Sequence, residues 1–139
     1  MAKKFIVGID LGGTNLKIAL LNLRYQIKDK GVLSTQKFIK KENLICAIID
    51  SINNLIENNN LSRANILGIG LGLPGPIDYE RGVVHFFPNI GGWKEVNLKS
   101  ILERRLRLPV FVDNDAKLMS LAEYKLGAAK GYGNAVCIT

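Results

Sequence analysis

The sequence predicts an α/β protein built on a mixed sheet with helices flanking it. Three observations predict it. Apolar patterns along the chain follow the order strand, strand, strand, helix, strand, helix, strand, helix. The first three strands are joined by short hairpin-like turns and so run antiparallel, whereas the later ones alternate with helices. Glycines and polar residues gather where strands end, the place where open α/β sheets hold ligands.

The first strand is expected at about 4–10, around Phe5-Ile6-Val7-Gly8-Ile9. The second follows at about 15–21, where Leu16, Ile18 and Leu20 alternate with Lys17 and Ala19. A turn at Asn22-Leu23-Arg24 leads into a third strand near 25–34. Leu44, Ile45, Ile48, Ile49, Ile52, Leu55 and Ile56 then form one stripe at helical spacing. Asn58-Asn59-Asn60 ends that helix, because Asn tolerates the left-handed conformation. A buried strand over Ile66–Leu73 carries Gly68, Gly70 and Gly72, leaving room on one face for another backbone or a ligand. A second helix over Asn97–Leu106 turns Leu98, Ile101, Leu102 and Leu106 inward and is stopped by Pro109. The strand Val110-Phe111-Val112 precedes a third helix with Leu118, Met119, Ala122 and Leu126 on one face. Gly127–Gly133 reads as a hinge, and 135–139 as a strand that begins a second unit. The expected division is thus a lobe over 1–126, then a hinge and first strand over 127–139.

Composition narrows the function classes. At 139 residues, 47% hydrophobic and 22% charged, the chain suits an ordinary globular domain. No apolar run approaches the roughly 18 residues that cross a bilayer. The basic start Met1-Ala2-Lys3-Lys4 precedes a short apolar run ending in Asp10, unlike a signal peptide, and the expected compartment is the cytoplasm. The net charge of +7 includes clusters at Arg104, Arg105, Arg107 and at Lys37, Lys40, Lys41. Neither is interleaved with aromatics, so no nucleic acid is expected as partner. Cys46 and Cys137 lie in apolar runs and are expected to be buried free thiols with no metal spacing. His85, the single histidine, is expected in a structural or exposed position.

Four motifs carry the chemistry. Asp10-Leu11-Gly12-Gly13-Thr14 lies between two strands. A Gly-Gly turn there lets backbone N–H groups approach an anion, with Asp10 able to hold a hydrated metal and Thr14 a phosphate oxygen. The same residues also make an ordinary tight hairpin. Pro74-Gly75-Pro76 forms a rigid bend that leaves the Gly75 backbone open to a polar ligand. Pro88-Asn89-Ile90-Gly91-Gly92-Trp93 has similar character, with Trp93 as an aromatic wall. Val112-Asp113-Asn114-Asp115-Ala116 puts amide and carboxylate groups at a strand mouth. One such residue suffices to cap a helix, and three are present. Asn114 can pair with sugar hydroxyls, and Asp115 can take a proton from a hydroxyl as it attacks phosphorus. Phosphate cradle, hydroxyl-binding turn and base are the parts of a phosphoryl-transfer site.

Taken together, Asp-Leu-Gly-Gly-Thr-Asn at 10–15, Gly-Leu-Pro-Gly-Pro-Ile-Asp at 72–78, Pro-Asn-Ile-Gly-Gly-Trp at 88–93 and Val-Asp-Asn-Asp-Ala at 112–116 resemble the ROK family of sugar kinases and sugar-responsive repressors. The resemblance implies an actin-like ATPase, ribonuclease-H-like lobe. It implies a glucokinase-like hexose kinase using Mg-ATP, with phosphate contacts from Asp10, Gly12, Gly13 and Thr14 and magnesium held by Asp10 through water. It implies sugar contacts from Gly75, Asn89, Asn114 and Asp115, with Asp115 the catalytic base. Where the family commonly has a second Asn after Asn-Asp-Ala, this chain has Lys117, which bears on sugar preference. Family members are about twice as long, so the chain is expected to be an N-terminal half, inactive alone. Any structural zinc is expected only in the other half, and the whole protein as a homodimer. The rival expectations are a sugar-sensing regulator and a non-catalytic sugar-binding module. Only nine residues precede Asp10, too few for a DNA-binding domain of the regulator type.

Overall fold

The computed structural model describes residues 4–88 and 90–139. Its centre is a five-stranded sheet in the order β3-β2-β1-β4-β8. The strands β1 (Phe5–Leu11), β2 (Asn15–Asn22) and β3 (Ile27–Ser34) form an antiparallel meander. The strands β4 (Ile66–Leu73) and β8 (Val110–Asn114) extend it in parallel from β1, so the sheet is mixed as the turn lengths required. The β2–β3 turn closes because the Asn22 side-chain oxygen accepts the N–H groups of Arg24 and Gln26, each at 3.0 Å.

Side chains alternate across each strand, and this sorts the sheet into two faces. Val7, Ile9 and Leu11 of β1 align with Leu20, Ile18 and Leu16 of β2, and all are buried on one face. Helix α1 (Lys41–Asn58) covers that face with all seven residues of the expected stripe buried. Ile48 and Ile52 are completely enclosed, each contributing roughly 1.5–3 kcal/mol of transfer free energy. Glu42 in its first turn is held below the usual carboxylate range, mainly by a backbone hydrogen bond and secondarily by Lys41. After α1 ends, Asn60 takes the left-handed conformation at φ 53°.

Between β4 and the next helix lies a small antiparallel sheet, β5 (Ile77–Asp78), β6 (Val83–Phe86) and β7 (Lys94–Asn97), absent from the sequence expectation. On it, His85 Nδ1 lies 2.9 Å from Glu95 Oε1 at the surface. Trp93 is not an exposed wall: it is 2% exposed and packs at 5.4 Å against the ring of Phe87. Helix α2 (Leu98–Leu106) starts where the Asn97 side chain accepts the Ser100 N–H and ends at Arg107, left-handed at φ 55°. Leu98, Leu102 and Leu106 are buried, while Arg104, Arg105 and Arg107 face solvent.

The exposure of the third helix, on which the sequence reading is silent, is visible in the structure, and two further expectations, for the cysteines and for 135–139, are corrected. Helix α3 (Asp115–Leu126) has no fully buried residue; Leu118 is half-buried, but Met119, Ala122 and Leu126 are exposed. Helical spacing identifies residues that share a face, and only the first turns of α3 reach the sheet, where Leu118 meets Gly72. Cys46 and Cys137 are both exposed, because position 46 lies off the apolar stripe of α1 and Cys137 lies outside any packed element. Residues 135–139 form no strand, and Val136 and Ile138 are 90% and 91% exposed. A strand is held by a neighbour's ladder bonds, and among the described residues none provides them.

Candidate functional site

The carboxyl ends of β1, β4 and β8 meet at one edge of the sheet, and there the predicted acids come together. A cleft of about 540 Å³ is lined by Ile9, Asp10, Gly72, Asp115, Leu118 and Thr139 among others. Asp10 leaves β1 on the face opposite Ile9 and Leu11, beside Gly72 of β4. Gly72 is the floor: a Cβ there would lie 3.1 Å from Leu118 Cδ1 and 3.5 Å from the Asp115 backbone, so glycine lets α3 start close against the sheet. Of the three strand glycines, Gly68 lies under the Pro109 carbonyl, Gly72 under α3, and Gly70 has open space above it.

Asp115 is the first residue of α3. Its Oδ1 accepts the Ala116 N–H at 2.8 Å, and its other oxygen has no partner among the described residues. A carboxylate suits the positive end of a helix, and Asp115 is among the residues that line the cleft. Asp10 is more open: its side chain is 58% exposed and its one ionic partner is Lys17 at 3.8 Å. Such an exposed pair holds little free energy and leaves the carboxylate available. Among the described residues no group of three or more His, Cys, Asp or Glu is clustered for a metal. A magnesium ion kept mostly by water and phosphate needs only one or two protein carboxylates, and Asp10 fits that requirement.

Asn114 ties two motifs together. Its Nδ2 donates to Gly75 O at 3.1 Å, and its Oδ1 accepts the Lys117 N–H at 3.2 Å as the cap of α3. The capping role is therefore real, and it leaves one amide hydrogen and one lone pair for a ligand. Gly75 sits at φ 99°, and a Cβ on it would lie 2.5 Å from Phe86 O. Glycine is required there by the close passage of β6, an independent reason for the Pro-Gly-Pro bend. Asp113 turns to Lys117 at 3.7 Å, outside the cleft lining.

The hairpin tip is placed differently. Gly12 N–H donates to Asn15 O at 2.8 Å, closing the turn, while Gly13 and Thr14 are exposed. They line a neighbouring recess of about 420 Å³ with Thr35, Gln36, Phe38 and Ile90, distinct from the cleft holding Asp10 and Asp115. Asn89 lies outside the described residues. Sequence reasoning missed Thr35, a buried threonine directly behind the hairpin; a lone Thr at a strand end carries no distinctive pattern.

Comparison with known proteins follows the same lines. The family model described as the ROK family matches residues 6–139. A glucokinase of Halalkalibacterium halodurans is 37% identical over 139 residues, all of this chain and 42% of the relative. A xylose repressor of Caldicellulosiruptor bescii is 34% identical over 88% of this chain and 30% of its own length. The crystal structure of a ROK family glucokinase from Streptomyces griseus, in complex with glucose and AMPPNP, superposes with a TM-score of 0.79 at 29% identity. It covers 91% of this chain and 38% of that one. The chain thus spans about two-fifths of the length of such relatives, and its fold is the one these sugar kinases share. With the motifs, the sheet order and a family match along almost every residue in agreement, the chain belongs to the ROK family.

Proposed function

We propose that this chain is the N-terminal lobe, over 1–126, of an ATP-dependent hexose kinase, with 127–139 leading into a second lobe. One observation carries the reading: Asp10 and Asp115, from motifs more than a hundred residues apart, line one cleft at the carboxyl ends of parallel strands. The similarity to glucokinases supports it. When bound, Mg-ATP would supply the γ-phosphoryl group, and its metal would neutralise part of the phosphate charge. Asp10 is the residue to hold that metal through water, and Gly12, Gly13 and Thr14 are the residues to face the phosphates.

On the acceptor side, Asn114, Gly75 and Asn89 orient the sugar, with Asn114 braced by its bonds to Gly75 O and the Lys117 N–H. The Asp115 oxygen left free by the Ala116 bond accepts the proton of the attacking hydroxyl. Fixing the hydroxyl beside its base converts a bimolecular encounter into an oriented one. The reading includes a cytoplasmic homodimer with no nucleic-acid or membrane partner and zinc, if present, in the second lobe; no helix among the described residues is long and apolar enough to cross a membrane.

The test is a coupled ADP-release assay of the full-length protein against hexoses and N-acetylhexosamines. Sugar-dependent ADP release supports the kinase. The 34% identity to a xylose repressor favours a second reading, a sugar-sensing regulator. That reading predicts saturable sugar binding by calorimetry with no ADP release at any nucleotide concentration.

A further inference from the structure

Thr35 is the one polar residue in the buried set among the described residues, at 1% exposure. It opens the short 3-10 turn Thr35–Lys37 directly after β3. Its N–H donates to Thr14 O at 2.9 Å and its hydroxyl donates to Gly12 O at 3.2 Å. One residue just past β3 therefore holds the hairpin at two carbonyls that flank Gly13, Gly12 O through its hydroxyl and Thr14 O through its backbone N–H.

The geometry has a consequence for the amides. A trans peptide is planar, with its C=O and N–H pointing in opposite directions. Holding Gly12 O against Thr35 turns the N–H of the same peptide, that of Gly13, to the other side. The Gly12 N–H is consumed by Asn15 O, whereas the Gly13 N–H has no partner among the described residues. Leu11 and Leu16 anchor the two strands below the tip, but the tip itself, residues 12–14, is Gly, Gly and Thr and has no apolar side chain of its own. The Thr35 clasp supplies that anchorage from behind.

We propose that Thr35 is a positioning residue for the anion-binding hairpin, holding Gly12–Thr14 so that the Gly13 N–H is presented to a nucleotide phosphate. The proposal rests on the kinase reading and adds to it a residue outside all four motifs. Backbone donors stabilise phosphoryl transfer only when preorganised, so a slack hairpin weakens nucleotide use and leaves the sugar side intact.

The experiment uses the full-length protein with Thr35→Val, which keeps shape and the backbone bond but removes the hydroxyl, and Thr35→Ser, which keeps it. A half-buried carbonyl stripped of its donor is expected to shift the loop and raise the KM for ATP about tenfold or more. The KM for hexose should stay within about twofold, and Thr35→Ser should restore the ATP value. Calorimetric titration with Mg-ATP in the absence of sugar gives the same comparison without turnover. Should Thr35→Val not fold, Thr35→Cys, with its weak donor, undergoes the same two measurements. A wild-type protein with no hexose-dependent ADP release refutes the kinase reading itself. A wild-type kinase whose Thr35→Val form keeps its ATP affinity, or loses ATP and hexose affinity alike, overturns the proposal for Thr35.

Discussion

Replacing Gly75 by alanine attacks the structure and the candidate site at one atom. Gly75 sits at φ 99°, a region in which an L-residue is strained by roughly 1–2 kcal/mol. The new Cβ would also lie 2.5 Å from Phe86 O, well inside the roughly 3.5 Å at which such atoms stop repelling. The obstacle is the backbone of β6, which cannot rotate away as a side chain would. Overpacking of this kind costs about 1–3 kcal/mol, so the sum for Gly75→Ala is about 2–5 kcal/mol. Gly70→Ala is the matched control, because nothing lies within 4 Å of its would-be Cβ; it should change stability by no more than about 0.5 kcal/mol. Urea unfolding of the full-length protein followed by circular dichroism measures both. With a slope of about 2 kcal/mol per molar, the Gly75 variant should unfold about 1–2.5 M earlier. Because Gly75 O receives the Asn114 amide, sugar affinity should fall with it. Equal midpoints for the two variants would refute the claim that β6 passes this close to the bend.

Asp10→Asn should raise the magnesium and ATP requirement of turnover at least tenfold while calorimetric hexose affinity stays within about threefold, since a neutral amide binds a hard cation poorly. Ile52→Ala removes a side chain with no exposure from the centre of α1 and should destabilise by about 2–5 kcal/mol in the same urea assay, with hexose and ATP KM values unchanged in the folded enzyme.

How far the sequence alone reached depends on the length of each signal. The α1 stripe repeats over four turns, and every one of its seven apolar residues is buried. The meander was legible because alternation in β2 and the short turns leave only antiparallel pairing. Strands β5, β6 and β7 have two to four residues each, too few for alternation to show, and so no element was expected over 77–96. Trp93 illustrates the consequence. With no sheet recognised around it, it read as a wall of the site, whereas β6 and β7 fold it against Phe87 inside the core. In α3 the periodicity was legible but the exposure of its apolar face was not, since burial depends on what lies opposite a face.

The candidate site divides the same way. Asp10 and Asp115 were identified from strand-end positions, and the parallel β1–β4–β8 arrangement puts both on one cleft. Asn114 turned out to be both helix cap and tether, because the cap uses its oxygen and the tether its nitrogen. The grip of Thr35 on the hairpin was illegible, since it depends on a contact across 23 positions of sequence.

The measurement that bears most directly on the account is the turnover of Asp115→Asn in the full-length protein, read beside its hexose affinity. The substitution keeps size and the bond from the Ala116 N–H but cannot accept the hydroxyl proton. Loss of a positioned general base lowers rate by about 10²–10⁴-fold, and kcat should fall by that amount. Hexose affinity by calorimetry should change less than about tenfold, because Asn114 and Gly75 remain in place. A kcat near that of the wild type, or hexose binding abolished outright, would contradict the assignment of Asp115 as the base.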